Sequence, residues 1–211
     1  MRLVLFGATG FAGGKILREA RQRGHEVVGV ARHVESLAEP KEAGSLHDEK
    51  FVLDATAGAD ALIVAIPGRP MPDGTKLFDA VPTLFAAAAR RGLRIGVVGG
   101  AGSLRVVDGG PRLIDTPEFP EEFKPEAGAH AEVLAALQEA PAGVDWFYVS
   151  PAANFGAHAP GERTGSYRLG GDVLVTDADG DSSISGDDYA IAFVDELERP
   201  THRRQRFTVG Y

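Results

Sequence analysis

Short apolar runs recur along most of the chain, at 2–7, 26–31, 61–66, 94–98 and 145–149, each rich in Val, Ile, Leu or Phe. Between them the apolar positions switch to helical spacing, at 12–23, about 79–91 and 126–139. Unbroken apolar strands alternating with amphipathic helices predict an α/β fold, a doubly wound parallel sheet with helices on both faces. Ala12, Ile16, Leu17 and Ala20 form one stripe on the first helix, and Val81, Leu84, Phe85 and Ala88 form one on the second. Asp79 is placed to cap that second helix, with Pro82 in its first turn, where no N–H is needed. A start at Lys76 would instead put a kink at Pro82.

Two stretches break the rhythm. Across 33–60 the fold calls for another helix and strand, and Phe51-Val52-Leu53 is the strand candidate. That leaves 55–59 for barely one helical turn, a shortened unit. After Pro151 the texture changes to a small α+β extension, 152–211, within what reads as one domain spanning 1–211. There, 167–169 and 173–176 read as a hairpin turning at Gly170-Gly171, followed by a helix at 187–198 and a closing strand at 206–209. Asp177-Ala178-Asp179-Gly180-Asp181 starts like a calcium loop, but no glutamate follows at the required place, so it reads as a turn.

The bulk chemistry is ordinary for a globular chain, 44% hydrophobic and 25% charged. A net charge of −8 argues against nonspecific binding to nucleic acid or anionic membrane. The basic run 202–206 reads as a solvated strand entry rather than a nucleic-acid patch. With no cysteine, disulfides, thiolate catalysis and cysteine-ligated metals are excluded, and no metal site is expected. No apolar window reaches membrane-spanning length and Arg2 precedes only a short apolar strand, which makes the cytoplasm the expected location. A monomer or homodimer is expected.

The first strand runs directly into Gly7-Ala8-Thr9-Gly10-Phe11-Ala12-Gly13 and then a helix. That order suits a tight turn that offers helix amides to a pyrophosphate, so these seven residues are cofactor-binding candidates. The second strand ends at Val30-Ala31-Arg32-His33, with no acid until Glu35. A carboxylate there would favour NAD, whereas Arg32 offers a charge-assisted fork to a 2′-phosphate, so NADP(H) is favoured over NAD(H).

This glycine run, together with Val97-Val98-Gly99-Gly100-Ala101-Gly102-Ser103 and Ser150-Pro151-Ala152, resembles the atypical short-chain dehydrogenase/reductases. The likeness is strongest to their NAD(P)H-binding, NmrA-like branch, the group of NADH–flavin reductases and epimerase-like proteins, and it covers essentially the whole chain. It implies a Rossmann fold and a nicotinamide cofactor. Active dehydrogenases of the wider superfamily carry Tyr-x-x-x-Lys on the helix after the serine strand. Here that region is Phe123-Lys124-Pro125-Glu126-Ala127-Gly128-Ala129-His130-Ala131-Glu132, with no tyrosine. The proton donor of alcohol–ketone chemistry is therefore missing.

The strand ends Ile66-Pro67-Gly68, Gly99-Gly100 and Pro151 should wall the nicotinamide crevice, with Asn154 and Phe155 in a substrate pocket. Ser103 could donate to a substrate oxygen or simply form a turn. His130 lies on an apolar helix stripe, which fits a satisfied buried histidine or an acid catalyst. Tyr148 reads as core, and Trp146 as a reporter of binding if its strand nears the crevice. The chemistry least troubled by the missing tyrosine is hydride transfer to a flavin- or quinone-like small molecule. A non-catalytic NADP(H) sensor is the alternative, and a sugar-nucleotide epimerase ranks behind both.

Overall fold

The computed structural model describes residues 1–71 and 74–211. In chain order its elements are β1 (Arg2–Phe6), α1 (Phe11–Gln22), β2 (Glu26–Ala31), β3 (Lys41–Ala43), α2 (Glu49–Ala55), β4 (Ala61–Val64), α3 (Val81–Arg91) and β5 (Arg94–Val98), then α4 (Lys124–Gln138), β6 (Trp146–Ser150), β7 (Arg168–Gly170), α5 (Gly186–Glu198) and β8 (Gln205–Gly210). The strands make one sheet in the order β3-β2-β1-β4-β5-β6-β8-β7, parallel except where β7 meets β8. The order turns back at β1, so a crevice opens at the carboxyl ends of β1 and β4, where this class of sheet binds ligands. The register brings those ends level: Phe6 lies opposite Val30 and Val64, and Val64 opposite Val97.

Alternate residues of β1, β2, β4 and β6 feed two apolar layers. Val4, Phe6, Val28 and Val64 meet Val52 of α2, Leu84 of α3 and Val133 of α4 on one face. On the other, Leu3, Leu5, Ile63 and Phe147 meet Ile16 of α1 and Tyr189 and Phe193 of α5. Each fully buried side chain of this size contributes about 1.5–3 kcal/mol. Ion pairs join the rims of α1 and α5, Lys15 to Asp187 at 2.6 Å and Arg23 to Asp195 at 2.6 Å. No helix among the described residues is long and apolar enough to cross a membrane.

The structure corrects several sequence expectations. Phe51-Val52-Leu53 is not a strand but the body of α2, started by Asp48, whose carboxylate accepts the Phe51 amide at 3.0 Å. The missing strand is Lys41–Ala43, too short and polar to stand out by hydropathy. Asp79 does not cap α3. It lies in a 3₁₀ turn, Leu77–Ala80, where its carboxylate accepts the Lys76 amide at 2.8 Å, and α3 follows with Pro82 in its first turn and no kink to explain. The hairpin at Gly170-Gly171 does not form. β7 pairs antiparallel with β8, while the backbone of 172–174 bonds to Arg105 instead, Arg105 N to Asp172 O at 2.8 Å and Leu174 N to Arg105 O at 2.9 Å. At 177–181 the Asp177 carboxylate accepts the amides of Asp179 and Asp181, both at 2.9 Å, which is a self-capped turn.

The basic run is less solvated than expected. Arg94 and Glu196 lie beneath it, and the Glu196 carboxylate takes bonds from the Arg94 guanidinium at 2.7 Å and the His202 ring at 2.7 Å. Arg203 pairs with Asp145, and Arg204 donates to the carbonyls of Ala140, Pro141 and Val144.

Candidate functional site

Gly7 ends β1 with φ +88, a conformation that side chains resist, and its amide donates to Val30 O at 2.9 Å. Ala8, buried, donates to the same carbonyl at 3.2 Å, and Thr9 and Gly10 stay exposed. Gly10 N closes back on Gly7 O at 3.0 Å, and the first bond inside α1 runs from Gly14 N to Gly10 O at 2.8 Å. The amides of Phe11, Ala12 and Gly13 precede that bond and so lack an intrahelical acceptor. A Cβ on Gly13 would fall 2.1 Å from Gly7 O, so only glycine lets α1 start this close to the strand end. The first turn of α1 carries no acidic residue, leaving its amides and dipole without a carboxylate of their own. This cradle fits a pyrophosphate.

Arg32 follows β2, exposed, with no hydrogen-bond or ion-pair partner among the described residues, and the equally exposed His33 is beside it. A guanidinium so placed is available to a ligand phosphate at no cost to the fold.

On the far side of the crevice, Ile66, Pro67 and Gly68 follow β4, with Ile66 half-buried and Pro67 exposed. Their path is held by a residue that the sequence reading passed over. The Glu126 carboxylate, in the first turn of α4, accepts the amides of Gly68 at 2.8 Å and Arg69 at 2.9 Å, and His130 Nε2 lies 3.2 Å from the same group. Burial disfavours that charge, but the bonds from His130 and the two amides outweigh it and bring the pKa of Glu126 down to about 2. His130 is buried, and its Nδ1 has no hydrogen-bond partner among the described residues. Its ring lies behind Gly68, where a Cβ would be 2.9 Å from His130 Cδ2, and its Cβ is close behind Gly100.

Tyr148 completes this wall from beneath. Its hydroxyl accepts the Gly100 amide at 3.0 Å and donates to His130 O at 3.2 Å, while Gly99 N bonds Val149 O at 2.9 Å. Burial raises the Tyr148 pKa well above its ordinary value, so the phenol is a neutral strut. Ser103, half-buried, accepts from Arg206 at 3.2 Å. Pro151 is buried after β6. Asn154 is tied through its amide to Ser182 O at 2.9 Å, with its side chain exposed. Phe155 packs edge-on to Phe11, ring centres 5.4 Å apart, and against Tyr189 at 4.6 Å, bridging the cradle to α5.

The structure thus gathers Gly7–Gly13 with Phe155 on one side of the crevice, and Ile66–Gly68, Gly100 and His130 on the other. Ser103 instead joins a polar cluster with Arg206. Trp146 sits at the amino end of β6, buried and opposite Ile95, away from the crevice. Glu126 and Arg206 were legible only as charges among many. Glu126 stands four residues before His130, and that helical spacing was the one available signal.

A family model described as NAD(P)H-binding matches residues 7–200. The protein is 40% identical over 212 residues to the uncharacterized protein YwnB of Bacillus subtilis, covering 99% of this chain and 98% of that one. Among solved structures it resembles a provisionally assigned NADH-flavin reductase from Streptococcus pneumoniae, with TM-score 0.88 and 40% identity over 100% of this chain and 99% of that one. A provisionally assigned epimerase from Bacteroides thetaiotaomicron gives TM-score 0.86 and 39% identity over 100% and 96%.

Proposed function

The chain belongs to the NAD(P)H-binding family, and from that premise we propose that it carries hydride from NADPH to a flavin- or quinone-like acceptor. The observation that carries the reading is the crevice itself: an anion cradle with open amides at Phe11–Gly13, beside a wall of Ile66–Gly68 and Gly100 that is backed by the buried His130. In this reading the amides after Gly10 bind the pyrophosphate, and Arg32 binds the 2′-phosphate that distinguishes NADPH. Ile66, Pro67, Gly68, Gly99, Gly100 and Pro151 wall the nicotinamide end, and Asn154 and Phe155 face the acceptor.

When bound, the nicotinamide supplies the hydride. The chain's own residues align the two partners and limit water, which accounts for most of the effect in such a transfer. A conjugated acceptor takes its proton from solvent. Where the acceptor needs a positioned donor, His130 and Ser103 fill that role in this reading. The name of the Streptococcus pneumoniae relative agrees with a flavin as acceptor. A cytoplasmic location, with access to the NADPH pool, goes with the reading.

The test is a screen of purified protein with NADPH and with NADH against flavins, quinones and small carbonyls, followed by loss of reduced-nicotinamide absorbance. Faster oxidation with flavins or quinones than in protein-free controls is expected. Tight NADPH binding with no acceptor turned over would sink the enzyme reading and leave a cofactor sensor in its place.

A further inference from the structure

Resting on that reading, we infer that the acceptor carries a phosphate or carboxylate, and that this group binds the Arg206 guanidinium beside Ser103 and Ser150 in place of Asp172. Arg206 stands opposite Tyr148 in the β6–β8 register, and its side chain is only 9% exposed. Its head lies between the carboxyl ends of β5 and β6, on the same edge of the parallel sheet as the crevice. One terminal nitrogen is 3.2 Å from Ser103 Oγ, just after the Gly99–Gly102 wall, and 3.5 Å from Ser150 Oγ, just before Pro151.

A guanidinium this buried needs a counter-charge. The one it has among the described residues is poorly matched. Asp172 reaches it with a single oxygen, 2.7 Å from Nε and 2.5 Å from the second terminal nitrogen, rather than with the two-oxygen fork that suits this group. Asp172 is itself 73% exposed, so water competes for its charge. Its backbone is anchored separately, by Arg105 N at 2.8 Å, and the carboxylate can therefore swing away without the turn moving. The hydroxyls of Ser103 and Ser150 accept from Arg206 through lone pairs and keep rotatable hydrogens, which would donate to an incoming oxyanion. In a chain of net charge −8, a nearly buried cation at the carboxyl ends of β5 and β6 is a local attraction for an anionic ligand.

The probes are FMN against riboflavin for a phosphate, and a carboxylated naphthoquinone against its parent for a carboxylate, each measured by equilibrium binding to protein saturated with NADP⁺. Turnover is not required. The anionic member of at least one pair is expected to bind more tightly. Arg206→Gln should weaken that member about tenfold or more while its neutral partner changes less than about twofold. Asp172→Asn, an exposed change that spares the fold, should tighten the anionic member several-fold and leave the neutral one unchanged; it carries the test if Arg206→Gln does not fold. Equal shifts in both members, or no gain from Asp172→Asn, assign Arg206 to packing and overturn the inference alone. Failure of every probe to bind overturns the acceptor reading, and this inference with it.

Discussion

Gly13 faces the carbonyl of Gly7 so closely that a Cβ would sit 2.1 Å from its oxygen. The obstacle is backbone at a strand end whose own φ is +88, so neither side can yield freely. Gly13→Ala should therefore displace the start of α1 and cost about 1–3 kcal/mol of stability, the range for overpacking. It should also move the open amides, weakening NADPH binding about tenfold or more. Thermal unfolding with and without NADPH reads both effects. A variant that melts and binds like the parent would refute the cradle.

Arg32 offers a cleaner separation of fold from function. It is exposed and has no hydrogen-bond or ion-pair partner among the described residues, so Arg32→Glu should leave the melting temperature unchanged. Charge-assisted bonds of this kind contribute about 1.5–3 kcal/mol, roughly a tenfold to hundredfold change in affinity. The variant should lose that much affinity for NADPH while NADH holds or improves. Dissociation constants for both cofactors decide the point, and an unchanged ratio would place the 2′-phosphate elsewhere.

The parts of this molecule that sequence makes legible are those written in hydropathy and glycine. Buried parallel strands such as Leu3–Phe6 must be apolar on both faces, and the Gly7–Gly13 turn tolerates few alternatives, so both announce themselves. β3 does not, because three residues, Lys41 to Ala43, at the sheet edge need no apolar signature. α2 was hidden because Phe51 and Val52 are apolar in either structure, and only Asp48, read as a cap, distinguishes them. The failed hairpin shows a further limit. Gly170-Gly171 permits a turn, but the partner of 172–174 is Arg105, far away in sequence. Glu126 and Arg206 are of the same kind: their roles come from tertiary neighbours that spacing cannot supply.

Glu196 anchors the opposite end of the molecule and should dominate acid sensitivity there. Its side chain is 3% exposed and binds Arg94, Thr201 and His202. Burial opposes the charge, yet those bonds prevail and lower its pKa from 4.5 to about 2. The unfolded chain therefore takes up this proton first as pH falls. Stability from the pair is present above about pH 4.5 and lost progressively toward pH 2. Glu196→Ala, which leaves the buried Arg94 guanidinium with the Glu196 and His202 carbonyls and with Asp145 at 3.5 Å, should cost about 3 kcal/mol at neutral pH, the lower end of the range for breaking a buried pair. Urea unfolding as a function of pH should show a shallower acid decline in the variant; an unaltered slope would mean the carboxylate is not the titrating group.

Glu126 and His130 separate positioning from proton transfer. The carboxylate ties the loop after β4 to α4 through two amides, and a glutamine offers one acceptor oxygen where two are used. Glu126→Gln should then destabilise by about 1–2 kcal/mol and raise the KM for NADPH by loosening Ile66–Gly68, with little change in kcat. Because the folded pKa of Glu126 is depressed to about 2, its contribution too is lost as pH falls below about 4.5, and the variant should lack that component. His130→Gln asks the other question. If the imidazole donates a proton, kcat should drop about 10²-fold or more with KM near the parental value, and only for acceptors that need a positioned acid. If His130 is only a wall, kcat/KM should change by the same factor for flavins and for carbonyls. Steady-state kinetics of both variants across several acceptors distinguish these outcomes, and a large kcat loss in Glu126→Gln with intact cofactor binding would overturn the positioning role.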